Sequence, residues 1–293
     1  MKVAVAGSSG LIGTALVAAL TADGHDVVRL VRRAPRDAAE VQWDPAHPLS
    51  PAKLAGVEAA VCLSGAGVGD KRWNEAYKRT LVDSRLQPTH TLATALAALE
   101  PKPKVFLSGS AIGYYGETGD TRTDETAAPG DDFFSDLVVR WEAAAAPAVA
   151  AGIRVAHLRT GLVVSRQGGA WGRLFPIFKL GMGGKIGSGR QYWSYISLAD
   201  HVHAMQFLLD HEVAGPVNLT APEPVTNAEV TKAMGKVLHR PTLVPVPAFG
   251  LRLVLGEFGK EPVRSQRIVP GVLQKAGFTF EHPTIESAIR AAL

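Results

Sequence analysis

The chain has 293 residues, 46% of them apolar and 20% charged, with a net charge of +4. That is enough for a full core and for one large domain or two coupled ones, in an ordinary globular composition. The basic excess forms no run of five, which argues against nucleic-acid binding, and no apolar stretch approaches about 18 residues, so neither a spanning segment nor a membrane partner is expected.

The single cysteine, Cys62, excludes an internal disulfide and lies in an apolar run, as a core residue does. With no leader pattern at the N-terminus, the expected location is cytoplasmic.

Val3 to Gly13, V-A-V-A-G-S-S-G-L-I-G, reads as a short buried strand running into a glycine turn and then an apolar helix. Gly7, Gly10 and Gly13 supply the tight turn. They let a pyrophosphate approach the helix N-terminus, where free amides and the helix dipole favour an anion. The helix carries Leu16, Val17 and Leu20 and ends at Asp23-Gly24. Asp26 to Val31 follows as the second strand, completing a mononucleotide-binding half. At its end an NAD site usually carries Asp or Glu. Here stand Arg32 and Arg33, with Arg36 nearby. Guanidinium groups bind phosphate through charge-assisted, often bidentate bonds, so this corner predicts a 2′-phosphate and hence NADP(H).

Val41 to Asp44 reads as a third strand, with Trp43 either beside an adenine or in the core. Gly56 to Ser64 reads as a fourth, followed by Gly65-Ala66-Gly67 where the chain can pass close to a cofactor. Lys71 to Arg85 is amphipathic and helical. Lys104 to Ser108 is the fifth strand, leading into Gly109-Ser110-Ala111-Ile112-Gly113-Tyr114-Tyr115-Gly116. A long helix is expected over Asp131 to Ala146, and a sixth strand over Ile153 to Leu158 with His157 as a core histidine. From Ser165 glycines and aromatics alternate, which predicts a loop-rich lid or substrate wall rather than a regular core. Tyr195 to Asp200 opens a helix, Val217 to Leu219 returns to the sheet, and Asn227 caps a helix through Leu238.

These motifs resemble the extended short-chain dehydrogenase/reductases, and within them the atypical epimerase-family subgroup with an uncharacterised C-terminal domain. The resemblance spans essentially the whole chain. It rests on A-G-S-S-G-L-I-G at 6–13, K-R-W at 71–73, D-S-R at 83–85, S-G-S-A-I-G-Y-Y-G at 108–116, W-E at 141–142, R-T-G-L-V at 159–163, G-G-K-I-G-S-G-R-Q at 183–191, and S-Q-R-I-V-P with G-F-x-F at 265–280.

The resemblance implies an α/β Rossmann fold with a doubly wound parallel sheet and a smaller C-terminal substrate domain. Residues 1–165, rejoined by 195–222, would form the NADP-binding part, and 166–194 with 223–293 the substrate part. It places Gly7, Gly10, Leu11, Ile12 and Gly13 at the pyrophosphate and Arg32 and Arg33 at the 2′-phosphate. Leu63, Ser64 and Gly65 then follow the fourth strand, Arg85 and Ser108 lie near the cofactor, and Leu162 or Val163 lies at the nicotinamide. Ser110 falls at the position of the superfamily's catalytic serine, with Tyr114 and Tyr115 as proton donors. No metal ligand set is expected. Ser194-Tyr195-Ile196-Ser197 departs from the Ser-Trp-Ile-His of relatives.

The superfamily's Tyr-x-x-x-Lys pair is absent. None of the tyrosines at 77, 114, 115, 192 and 195 has a lysine four residues on, and the matching helix reads Phe133-Phe134-Ser135-Asp136-Leu137-Val138. Without that lysine a tyrosine keeps a high pKa and donates more readily than it accepts, which favours reduction over epimerisation. Two functions stay open: an NADP-dependent oxidoreductase or epimerase acting on a small carbonyl or sugar-like molecule, and a catalytically silent NADPH-binding sensor or partner-binding protein. The oligomeric state is not legible.

Overall fold

The computed structural model describes all 293 residues, apart from the side chain of Arg252. In chain order the elements are β1 (Lys2–Ala6), α1 (Leu11–Ala22), β2 (Asp26–Val31), β3 (Glu40–Gln42), β4 (Ala59–Cys62), α2 (Glu75–Ala97), β5 (Val105–Ala111), α3 (Phe133–Ala143), α4 (Ala146–Ala150), β6 (Arg154–Thr160) and β7 (Leu162–Val164). They continue with α5 (Gly169–Lys179), β8 (Tyr192–Trp193), β9 (Tyr195–Ser197), α6 (Leu198–Asp210), β10 (Gly215–Leu219), β11 (Val225–Thr226), α7 (Asn227–Leu238), α8 (Ala248–Leu255), α9 (Gly271–Lys275) and α10 (Ile285–Ala291).

Seven strands form one sheet in the order β10-β6-β5-β4-β1-β2-β3, and every pairing is parallel. The order reverses between β1 and β4, the crevice where open α/β sheets bind ligands at the carboxyl ends of their strands. Because both faces are covered, the strands are apolar throughout rather than alternating. Val3 and Val5 pack with Leu16 and Leu20 of α1 on one face. Ala4 and Ala6 pack with Leu92 and Leu96 of α2 on the other.

Several boundaries move. The second helix starts at Glu75, where the Asn74 side chain accepts from the Tyr77 amide, and runs on to Ala97. The fifth strand extends to Ala111, so Ser110 sits in a strand rather than in the turn after it. Helix α7 is capped by Thr226, which shares a capping box with Glu229, and not by Asn227. Tyr195 to Ser197 is a strand, and its helix begins only at Leu198. Trp43 is buried in the core beneath β2 and β3.

The larger correction is at 166–194. The stretch expected as a loop-rich wall contains α5, and its Trp171, Phe175 and Phe178 are among the most buried side chains of a separate cluster with Met234 and Val237 of α7 and Ile289 of α10. The segment therefore builds a core of its own beside the sheet.

Candidate functional site

The turn between β1 and α1 can be made only by glycine at two of its three positions. Gly7 has φ +79°, and a Cβ on it would lie 2.7 Å from the carbonyl carbon of Leu63. A Cβ on Gly13 would lie 2.2 Å from the Gly7 carbonyl oxygen. Gly10 is different: its Cβ would meet that oxygen at an ordinary 3.5 Å. Gly10 is the N-cap of α1 and offers no capping side chain. The Leu11 and Ile12 amides at the helix start therefore point to an open end, the arrangement that holds an anionic diphosphate.

The turn after β4 closes the cradle. Leu63 and Ser64 press against Gly7, and a Cβ on Gly65 would lie 3.2 Å from the Arg85 guanidinium. From α2, Ser84 Oγ accepts from the Ala66 amide at 3.0 Å and Arg85 donates to the Ala66 carbonyl at 2.9 Å. The D-S-R motif thus grips this loop from both sides of one residue. Among the described residues Arg85 has no carboxylate partner. Burial pulls its guanidinium down to about 10, and its Nε lacks a hydrogen bond. In β5, Ser108 is fully buried, and its hydroxyl has no partner among the described residues. Leu162 and Val163 lie half-buried in β7 against β9, at the carboxyl end of β6.

At the end of β2 the two arginines separate. Arg33 forms two 2.6 Å bonds to the buried Glu40 carboxylate. The Arg36 amide and Arg29 also face Glu40. These hydrogen bonds, Arg33 first, hold the Glu40 carboxyl down at about 2. Arg33 therefore shapes the corner, while Arg32 is exposed with no carboxylate bound to it among the described residues.

The three proposed catalytic residues meet around an ion pair between the W-E and R-T-G-L-V motifs. Glu142 of α3 and Arg159 of β6 are joined by two bonds of 2.8 and 3.0 Å, both largely buried. Burial raises the Glu142 carboxyl, but the hydrogen bond and charge of Arg159 outweigh it and leave it below the usual carboxylate range. Ser110 donates to Glu142 at 2.6 Å. Arg159 donates to the Tyr115 hydroxyl at 2.9 Å, which donates to Asn218 at 2.7 Å. Burial pushes the Tyr115 phenol up to about 12. The Arg159 guanidinium also lies 3.4 Å from the centre of the Tyr114 ring. Tyr114 is half-buried, and its hydroxyl has no partner among the described residues.

The C-terminal segment holds this turn. Gln266 donates to the carbonyls of Ile112 and Gly116, one on each side of the two tyrosines, and Asn218 donates to Val269. Glu142, Arg159, Asn218 and Gln266 were missed as site residues. The available signal was the motifs themselves: Glu142 lies in W-E, Arg159 in R-T-G-L-V and Gln266 in S-Q-R-I-V-P, while Asn218 lies in none of them.

A family model described as the NAD dependent epimerase/dehydratase family matches residues 3–220, and a domain of unknown function, DUF1731, matches 246–292. The chain belongs to the NAD dependent epimerase/dehydratase family. A family relative from Mycobacterium leprae, epimerase family protein ML0860, is 45% identical over 99% of this chain and 95% of its own length. The human epimerase family protein SDR39U1 is 34% identical over 99% of both chains. A crystal structure of human SDR39U1 (isoform2) with NADPH superposes at a TM-score of 0.91, with 32% identity, over 100% of this chain and 99% of that one. The nucleoside-diphosphate sugar epimerase of Corynebacterium glutamicum gives 0.84 at 34% identity over all of this chain, which spans 58% of that one. The seven-stranded parallel Rossmann sheet is thus the family's own fold. Among the described residues no cluster of His, Cys, Asp or Glu could hold a metal, and no helix is long and apolar enough to cross a membrane.

Proposed function

We propose that this protein binds NADP(H) and uses it as an oxidoreductase on a small carbonyl or sugar-like substrate. The observation that carries the reading is the cradle at Gly7, Gly13 and the open N-terminus of α1, joined to a β2 corner that holds arginine where an NAD site holds a carboxylate. The NADPH-bound human relative supports the same cofactor. In this reading Leu11, Ile12 and Gly13 face the diphosphate, Arg32 takes the 2′-phosphate, and Arg33 braces the corner through Glu40. The smaller C-terminal part, 166–194 with 223–293, covers the substrate side.

When bound, the nicotinamide supplies or accepts hydride. The chain's own residues then manage the proton and the substrate oxygen. Tyr114 carries the one phenol of the pair whose hydroxyl is uncommitted, so it donates to that oxygen. Ser110 spends its own proton on Glu142, leaving its oxygen to accept from a substrate hydroxyl. Tyr115, bonded on both sides, positions Arg159 under Tyr114. The same bonding of Tyr115, with Phe133 and Phe134 where the superfamily's tyrosine helix begins, favours a second reading as a silent NADPH-binding sensor.

Fluorescence titration with NADPH and NADH tests the cofactor. Arg32→Asp is expected to lose at least tenfold in NADPH affinity and to shift preference toward NADH; unchanged NADPH affinity overturns the assignment. NADPH consumption over a panel of carbonyls and sugar nucleotides separates enzyme from sensor. Turnover lost in Tyr114→Phe supports the enzyme, and tight binding without turnover supports the sensor.

A further inference from the structure

The exposed apolar residues are not scattered. Among the described residues, eight of the eleven large hydrophobics that stand exposed fall in two segments, 177–182 and 243–254. The chain brings these segments together. The Val246 amide donates to the Lys185 carbonyl at 2.9 Å and the Gly187 amide to the Val246 carbonyl at 2.8 Å. A Cβ on Gly181 would lie 3.5 Å from the Pro241 ring. Leu180, 71% exposed, and Met182 therefore stand beside the segment carrying Leu243, which is 84% exposed. Helix α8 continues the chain with Phe249 and Leu253, each 75% exposed and spaced to share one helix face.

Cations border this apolar strip. A cavity of about 700 Å³ between α7 and residues 240–245 has Lys185, Lys232, Lys236 and Arg240 on its wall. Lys236 is paired with Glu286. Among the described residues the other three have no carboxylate partner, and the Arg240 Nε donates to a backbone carbonyl, which leaves its charge unneutralised.

We propose that this face docks on the headgroup layer of an anionic lipid bilayer, with the cavity cations at lipid phosphates and Leu180, Leu243, Phe249 and Leu253 entering the acyl boundary. The sequence predicts no membrane partner, on the ground that no stretch is long and apolar enough to span a bilayer; docking on a bilayer surface departs from that expectation and needs no such stretch. Three observations favour a bilayer. Side chains more than two-thirds exposed protrude instead of forming a groove, and a fluid boundary accepts them without a complementary shape. Basic residues beside Leu and Phe are the composition of interfacial anchors. A second copy meeting the same patch brings no carboxylate to it, because none lines the cavity, and would leave the three free cations unneutralised.

Co-flotation of the full chain tests this, using phosphatidylcholine vesicles with and without phosphatidylglycerol. Binding is expected only with the anionic lipid and is expected to fall as salt rises. Lys185→Gln and Lys232→Gln are each expected to weaken it about fivefold, as one cation near an anionic surface does. Leu243→Ser with Phe249→Ser is expected to leave only a salt-labile remnant. NADPH affinity is measured in the same samples and stays unchanged, so failure of the cofactor reading and failure of docking are told apart. Three results overturn the proposal: no flotation with anionic vesicles; flotation indifferent to the two lysine variants and to the double serine variant; or these variants abolishing instead a self-association or a binding to polyglutamate that wild type shows without vesicles.

Discussion

Glu142 and Arg159 show what a buried charge costs when its partner is removed. Each is desolvated, and each is satisfied only by the other and by Ser110 and Tyr115. Removing one member of such a pair leaves an uncompensated charge in a low dielectric, at about 3–5 kcal/mol. Glu142→Ala is therefore expected to lower stability by that amount in denaturant titration, while Asp136→Ala, one exposed turn and a half away on α3, stays within about 0.5 kcal/mol. Tyr115→Phe removes a hydroxyl between Arg159 and Asn218 and is expected to cost about 1–3 kcal/mol with NADPH affinity unchanged. Equal effects of the Glu142 and Asp136 changes would show that the pair does not brace this end of the sheet.

The glycine turn and α5 show which elements the sequence makes legible. The turn is local: a strand, three glycines and a helix lie within 22 residues, and each part constrains the next. Its three glycines are nevertheless unequal, which only geometry reveals. Gly13→Ala drives a Cβ into the Gly7 carbonyl and is expected to abolish NADPH binding and cost about 1–3 kcal/mol in stability. Gly10→Ala meets only ordinary protein contacts at φ −77° and is expected to lose about 1 kcal/mol or less in stability. Denaturant titration of the two variants checks the contrast, and equal losses of stability would refute it. Helix α5 carries two opposed local signals. Trp171, Leu174, Phe175 and Phe178 fall at helical spacing, yet the glycines around them read as loop. The Glu142–Arg159 pair was not legible at all, because no local pattern says that an acid on a helix and a base on a strand 17 residues later will meet.

At the scale of the molecule, the C-terminal residues are tied to the sheet through buried polar groups, and this makes stability depend on pH. Asp200, at the start of α6, accepts from the amides of Glu281 and His282. The next residue, His201, is fully buried. It meets Thr160 at the end of β6 at 3.0 Å, its Nδ1 has no partner among the described residues, and burial holds its imidazole down at about 4 against an ordinary 6.5. The folded pKa lies below the unfolded one, so as pH falls the unfolded chain takes up this proton first. The stabilisation is complete above about 6.5 and is lost between there and about 4, a difference of about 3 kcal/mol. His157, also lowered by burial, adds to the same sign. Glu40, held at about 2, loses its contribution between about 4.5 and about 2, below the window from about pH 6.5 to about pH 5; the Glu261 carboxyl, raised by burial, acts there with the opposite sign, so the substitution at His201 and not the bare slope isolates the histidine. Denaturant midpoints across that window are expected to fall steeply in wild type and to flatten in His201→Asn, which carries no titrating group. A slope unchanged by the substitution would mean that His201 is protonated in the folded protein, and with it that Thr160 and the end of β6 are open to water.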